Sequence, residues 1–164
     1  NAIVDWVWVK YLDLNDPNIL QFERSALLQR DGDIVDVDGT SPLSAFLVEG
    51  DKYYISIHHR NHLDIRSDTT FTLTSTTTTA NFSTSSGLIL GGTNAVTTLD
   101  NGFYGLYSGD YDENGQVQSS DISSVVILLG GSGYSNADMD MNGQIQSTDI
   151  NNILYINIGK GEQF

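Results

Sequence analysis

Apolar and polar residues alternate with a period of two through much of the first hundred positions. In Ile3-Val4-Asp5-Trp6-Val7-Trp8-Val9-Lys10-Tyr11-Leu12, Val7 and Val9 share one face with Asp5, while Trp6 and Trp8 share the other. A run this rich in β-branched and aromatic residues predicts a strand. A second run spans Asn18 to Gln29. A third, Ile34 to Val37, is bounded by the turn dipeptides Asp31-Gly32 and Asp38-Gly39. Ser44 to Val48 and Tyr53 to His59 follow, separated by the hairpin turn Glu49-Gly50-Asp51-Lys52. Thr69 to Phe82 sets Phe71, Leu73 and Ser75 against threonines, and Leu88 to Leu90, Ala95 to Leu99 and Gly102 to Tyr107 complete the set. Short strands with regular turns and no convincing helix predict an antiparallel β-sandwich over residues 1–108.

After Tyr107 the period changes. Asp121 to Leu129 places Ile122, Val125, Val126 and Leu129 on one helical face, and Asp149 to Ile156 does the same with Ile150, Ile153, Leu154 and Ile156. Neither helix has a partner before it. Phe103 to Tyr107 reads as a strand, and Gly130-Gly131-Ser132-Gly133 reads as a flexible linker. Residues 109–164 are therefore expected to form a small α domain of two loop-helix units, the chain as a whole being mainly β.

The loop in front of each helix carries the chemistry. Asp110-Tyr111-Asp112-Glu113-Asn114-Gly115-Gln116-Val117-Gln118-Ser119-Ser120-Asp121 recurs 28 residues later as Asp138-Met139-Asp140-Met141-Asn142-Gly143-Gln144-Ile145-Gln146-Ser147-Thr148-Asp149. Side-chain oxygens fall at loop positions 1, 3, 5, 9 and 12, with Gly at position 6, which is the ligand spacing of a twelve-residue calcium loop. Calcium is a hard cation that takes six to eight oxygens, and alternate residues of a short loop must point inward to supply them. Asp110, Asp112 and Asn114 do so in the first copy, Gln116 offers its carbonyl, Gln118 acts directly or through water, and Asp121 closes the shell. Asp138, Asp140, Asn142, Gln144, Gln146 and Asp149 take the same roles in the second. Two calcium ions are expected; magnesium, which requires a tighter octahedron and retains water, suits the loops less well. Val117 and Ile145, apolar at position 8, are expected to face the core and meet each other in a short β-bridge.

Composition narrows the setting. The chain has 164 residues, no Cys, and 21 acidic against 7 basic side chains. Residues 109–164 hold 8 of the acids and one base, Lys160, so both parts are equally acidic, each at net −7. Such a field disfavours nucleic acid and anionic membrane surfaces. Without Cys there is neither a disulfide framework nor a thiol nucleophile, and no apolar run is long enough to span a membrane. Asn1 in place of Met suggests a mature product or an excised C-terminal portion. Calcium is scarce in the cytosol and abundant outside cells, so structural calcium loops point to an extracellular or cell-surface location. A carboxylate pair for glycoside hydrolysis would need two acids at a defined separation in a cleft, and the pattern offers no supporting residues. The expectation is that the chain is not an enzyme.

The paired loops, with Asp at position 12 and no entering helices, resemble a dockerin over about residues 109–158. Dockerins are calcium-loop modules that dock cellulosomal enzymes onto cohesin domains. The resemblance implies partner-contacting residues at positions 10 and 11, here Ser119, Ser120, Ser147 and Thr148; as helix-starting residues the same four are also favoured caps. Over nearly the whole chain, the segments VDWVWVKYLD, RSALLQRDGDIVDVDGTSPLSAF and YYISIHHRNHL resemble a C-terminal segment of large secreted and surface proteins of marine and gut Bacteroidetes, adhesin-like or haemagglutinin-like, in which paired calcium loops also follow. This resemblance implies export and surface display without fixing an activity. The loops here read GDYDENG and ADMDMNG, with Asp at position 3 where Asn is commoner, which adds a carboxylate.

Other constellations are weaker. His58-His59-Arg60-Asn61-His62 would put His58 and His62 on one face of an extended strand, a conceivable transition-metal pair or a strand end held by hydrogen bonds. Asp31, Asp33, Asp36 and Asp38 are candidates for a further ion or plain turn carboxylates. Trp6, Trp8, Tyr53 and Tyr54 are candidates for a sugar-stacking platform or for core filling. Asp68-Thr69-Thr70 resembles an O-glycosylation site of Bacteroidetes exported proteins, and Asn81-Phe82-Ser83 fits an N-glycosylation sequon. The expected function is a non-catalytic, extracellular, calcium-binding structural or adhesion module. The alternatives are a dockerin-type module binding a cohesin-like partner, a filament subunit assembled through pairing of its first strand with a neighbouring copy, and a carbohydrate-binding module.

Overall fold

The computed structural model describes residues 1–164. The chain is mainly β, and every strand pairing is antiparallel. Strands β1 (Ile3–Leu12), β2 (Leu20–Gln29), β3 (Ile34–Val35), β4 (Lys52–His59) and β5 (His62–Arg66) form one sheet in the order β3-β2-β1-β4-β5, with the short β6 (Phe71–Thr72) beside β4. β7 (Val96–Thr98) and β8 (Tyr104–Leu106) make a separate hairpin. The alternation in β1 is realised: Asp5, Val7, Val9 and Tyr11 are buried, and Trp6 and Trp8 are exposed on the opposite face. β1 pairs with β2 along its length and with β4 over Trp8–Leu12, so the β4 side of Ile3–Val7 carries no neighbouring strand.

The expected second sheet of the sandwich is reduced to the β7–β8 hairpin. Ser44 to Val48 crosses the sheet without pairing, Leu88 to Leu90 lies in and after a single 3₁₀ turn (Ser86–Leu88), and only Phe71–Thr72 of the Thr-rich run becomes strand. These segments nevertheless cover the inner face of the large sheet. Ile89, Ala95 and Val96 join Val7, Val9, Tyr11, Ala26, Tyr53, Ile57 and Ile65 in one core.

Two helical segments follow. α1 is Ser119–Ile127. The second begins as α2 (Ser147–Asp149), widens into a π turn over Ile150–Leu154, and ends as α3 (Tyr155–Asn157). A second core forms where they pack together: Val117, Ile122, Val125, Ala137, Met139, Ile145, Ile150 and Leu154, joined by Leu63 and Tyr107 from the β part. Leu63 and Ile65 are two residues apart on β5, yet one belongs to the second core and the other to the first. The two cores thus adjoin along a single strand. No helix is long and apolar enough to cross a membrane.

Candidate metal centre

The two loops fold alike. Position 4 takes a left-handed backbone in both, at Glu113 (φ 57°) and Met141 (φ 56°), and the position-6 glycines Gly115 (φ 81°) and Gly143 (φ 88°) do so as well. Those turns curl each loop around its first carboxylate. Asp110 accepts the backbone N–H of Asn114 at 3.1 Å and of Gly115 at 3.0 Å, and Asp138 accepts those of Asn142 at 3.0 Å and Gly143 at 2.8 Å.

The position-12 carboxylates close the loops from the helix side. Asp121 accepts N–H groups from Tyr111 (2.9 Å), Asp112 (3.3 Å) and Gln118 (2.7 Å). Asp149 repeats this with Met139 (2.7 Å), Asp140 (3.2 Å) and Gln146 (2.8 Å). The helix caps are therefore Gln118 and Gln146, whose N–H groups bond the aspartate three residues on, in place of the expected Ser/Thr caps. Ser119, Ser120 and Ser147 stand exposed, and the hydroxyl of Thr148 is buried without a partner.

In each loop one carboxylate oxygen from each of three aspartates lies within 4.8 Å of the other two: Asp110, Asp112 and Asp121 in the first, Asp138, Asp140 and Asp149 in the second. Either group can hold a metal ion. Asn114 and Asn142 sit beside them, their side-chain oxygens accepting the N–H groups of Gln116 and Gln144 at 3.0 and 2.9 Å. Gln118 and Gln146 are exposed at the loop rim, the Gln118 amide 3.3 Å from the Asn114 oxygen and the Gln146 amide 2.6 Å from that of Gln144.

Burial sets the electrostatics. Asp121 and Asp149 are fully buried, Asp110 is 2% exposed and Asp138 3%, and none of the four is paired with a basic side chain. Burial pushes the Asp110 carboxyl above its ordinary range, with Asp121 and Asp112 adding repulsion against the N–H bonds of Gly115 and Asn114. Asp140 is raised for the same reason, desolvation first and then its neighbours Asp149 and Asp138. The donors are all oxygens, which fits a hard cation and not a thiol- or imidazole-seeking one.

The outer edges of the loops are held differently from the bridge expected between Val117 and Ile145. Both residues are buried in the second core, but each pairs elsewhere. Val117 donates its N–H to Lys160 at 2.9 Å and accepts one from Gly159 at 2.9 Å; Ile145 donates to Gly131 and accepts from Gly130, both at 2.9 Å. The segment leaving each helix thus lines the loop of the other unit. Gly130 to Gly133, which reads as a flexible linker, is an edge of the second loop.

The remaining candidates separate. The turn at Arg60-Asn61 reverses the chain, so His62 lies on β5 opposite His59 and not on one strand with His58. His58 instead holds Asp64 at 2.6 Å, a bond that raises its pKa. His62 is 2.9 Å from His59 and 2.8 Å from the Asn61 side-chain oxygen. Asp31, Asp33, Asp36 and Asp38 do not converge: Asp36 pairs with Arg24 at 2.5 Å, and Asp38 closes a turn onto Thr40 and Ser41, bonds that lower its pKa to about 2. Tyr53 is buried in the sheet core, whereas Tyr54 is half-buried on the same sheet face as Trp6 and Trp8, opposite Leu12. Thr69 and Asn81 are both exposed.

Sequence reasoning missed a polar junction between sheet and loops. Asp5 accepts the Tyr134 hydroxyl at 2.8 Å and pairs with His59 at 3.2 Å and Arg60 at 3.1 Å. Burial alone would raise its pKa, but the Trp6 N–H, Tyr134 and Arg60 outweigh it and hold the carboxyl low. Beside the first loop, an open cleft of about 630 Å³ is lined by Trp8, His58, Asp64, Asp110, Glu113 and Glu162 among others, which adds negative potential next to that site.

Comparison of the chain with protein-family models, with curated proteins and with solved structures gave no match.

Proposed function

We propose that each loop binds one calcium ion and that the chain is a non-catalytic, calcium-stabilised structural or adhesion module of a secreted or cell-surface bacterial protein. The observation that carries the reading is the set of four buried carboxylates, at 0–3% exposure, with no cationic partner. Uncompensated buried anions are costly, and an all-oxygen shell of this spacing is what calcium takes. The metal would add folding energy by neutralising these groups, on top of the N–H bonds that hold the loops without it. The likeness to dockerins and to Bacteroidetes adhesin-like segments, and the requirement for abundant calcium, support the extracellular setting.

Calorimetric titration of calcium into EGTA-stripped protein is the test. It should give two ions per chain, with Asp112→Ala and Asp140→Ala each removing one. No heat of binding at millimolar calcium would overturn the reading.

Docking onto a protein partner such as a cohesin-like domain is the second reading. It is favoured by the apolar residues at the helix ends, where Ile127 is 82% exposed, Ile156 70% and Tyr155 58%. Those side chains lie beyond the second core, and in this reading Ser119, Ser120 and Ser147 would add polar contacts, while the buried Thr148 hydroxyl would not. Substituting Ile127 and Ile156 by Ser should abolish capture of such a partner while leaving calcium binding intact.

A further inference from the structure

The two loops are built alike but are not held alike, and the difference centres on one residue of the β4–β5 turn. Asn61, in the β4–β5 turn, is fully buried. Its side-chain amide donates to the backbone carbonyl of Asp138, the first residue of the second loop, at 2.9 Å. Its own backbone carbonyl accepts the N–H of Gly109, just before the first loop, at 2.8 Å. One residue therefore reaches the start of both loops, but only the contact to the second uses its side chain.

Neighbouring contacts reinforce that grip. Ser108 donates its hydroxyl to the carbonyl of Met139 at 3.2 Å, so two successive carbonyls of the second loop, at positions 1 and 2, are fixed from the β part. Arg60 donates to the carbonyl of Ser135, and its guanidinium lies over the Tyr134 ring, 4.3 Å from the centroid. Tyr134 in turn bonds Asp5 on β1. The segment that leads into the second loop is thus anchored at Tyr134, Ser135, Asp138 and Met139. A ligand-bearing backbone fixed before the ion arrives leaves less ordering to be done on binding, and partners behind the ligands tune metal affinity for that reason.

We infer that Asn61 is a positioning residue for the second metal loop, assisted by Arg60, so that the β-sheet sets the affinity of that one site. The inference rests on the calcium reading and adds to it an asymmetry that the near-identical loop sequences do not contain.

Calcium titration of the full chain, well below its melting temperature, separates the possibilities. Asn61→Asp keeps the shape of the side chain but removes the amide donor facing Asp138. It should weaken one of the two sites by about tenfold or more, the usual effect of losing a partner behind the ligands, and leave the other unchanged. Combined with Asp140→Ala, which removes the second site, Asn61→Asp should have no effect on the site that remains. Arg60→Lys should weaken the same site less, and carries the test if Asn61→Asp does not fold. Ile57→Val, a mild change in the sheet core, should move neither affinity, which distinguishes positioning from general loss of stability. Two sites in the unsubstituted protein that both survive Asn61→Asp, or that weaken equally, would overturn this inference and leave the calcium reading standing. Absence of any binding by the unsubstituted protein would overturn both.

Discussion

Asp149 and Asp140 are both expected metal ligands, yet they stand in different surroundings. Asp149 is fully buried and accepts three N–H groups, whereas Asp140 is exposed. Hydrogen bonds to a charged acceptor contribute about 1.5–3 kcal/mol each, and a buried donor left unpaired costs a further penalty. Asp149→Ala should therefore destabilise the protein by about 3 kcal/mol or more even in EGTA, while Asp140→Ala should cost little until calcium is added; urea denaturation in both conditions measures the difference. A pH effect belongs to the junction. Burial, together with the charges of His59 and Arg60, lowers the His62 pKa to about 3. An unfolded histidine takes up its proton near pH 6.5, so protons bind the unfolded chain preferentially between those values. Stability from His62 is complete above about pH 6.5 and is lost as pH falls towards 3, at about 1.4 kcal/mol per pH unit. His58, with its raised pKa, works in the opposite sense, so the measurement is the difference in pH slope between the protein and His62→Gln in EGTA, which should be shallower in the variant. At this scale the loop aspartates were legible because their ligand spacing is local. Asn61, Arg60 and Asp5 were not, since their partners lie 77, 75 and 129 residues away.

The elements show a reciprocal arrangement. The chain leaving α1 lines the second loop at Gly130 to Gly133, and the chain leaving the second helix lines the first loop at Gly159 to Glu162. The last residues are consequently part of the first site, with Glu162 also reaching back to the N–H of Asp64 at 3.2 Å and Phe164 placed 5.0 Å from the Arg66 guanidinium. Deleting residues 159–164 should weaken the first calcium site and spare the second, which a two-site titration resolves. Helix faces were readable from the apolar period only in part: Ile122, Val125, Ile150 and Leu154 are buried and Ile153 is half-buried, but Val126, Leu129 and Ile156 of the same expected faces are exposed. The edge pairing was not readable, because Gly130-Gly131-Ser132-Gly133 carries no side-chain pattern and its partner lies in the other unit. The sandwich was over-read for a related reason. β-Propensity in Thr72 to Thr79 is satisfied only where a partner strand exists, and past Thr72 no strand lies beside it. β5 was missed because the segment is short, with charged Asp64 and Arg66 alternating with Leu63 and Ile65.

Across the molecule, the cores of the sheet and of the loop-helix units meet along β5, and hydrogen bonds from Asn61, Arg60, Ser108 and Tyr134 tie the two parts together. From β8 the chain passes directly into the first loop at Asp110, with no linker between sheet and loop-helix units. In the calcium account, loading of the loops stabilises the sheet as well. With saturation at about a hundred times Kd, each ion would add about 2.7 kcal/mol, and two ions should raise the melting temperature by about 10 °C or more. The most direct measurement is thermal unfolding in calcium and in EGTA, followed both by far-ultraviolet circular dichroism of the helices and by fluorescence of Trp6 and Trp8 on β1. The account predicts that calcium moves both signals upward together. An unchanged midpoint in EGTA, or a helix signal that shifts while the tryptophans do not, would contradict it.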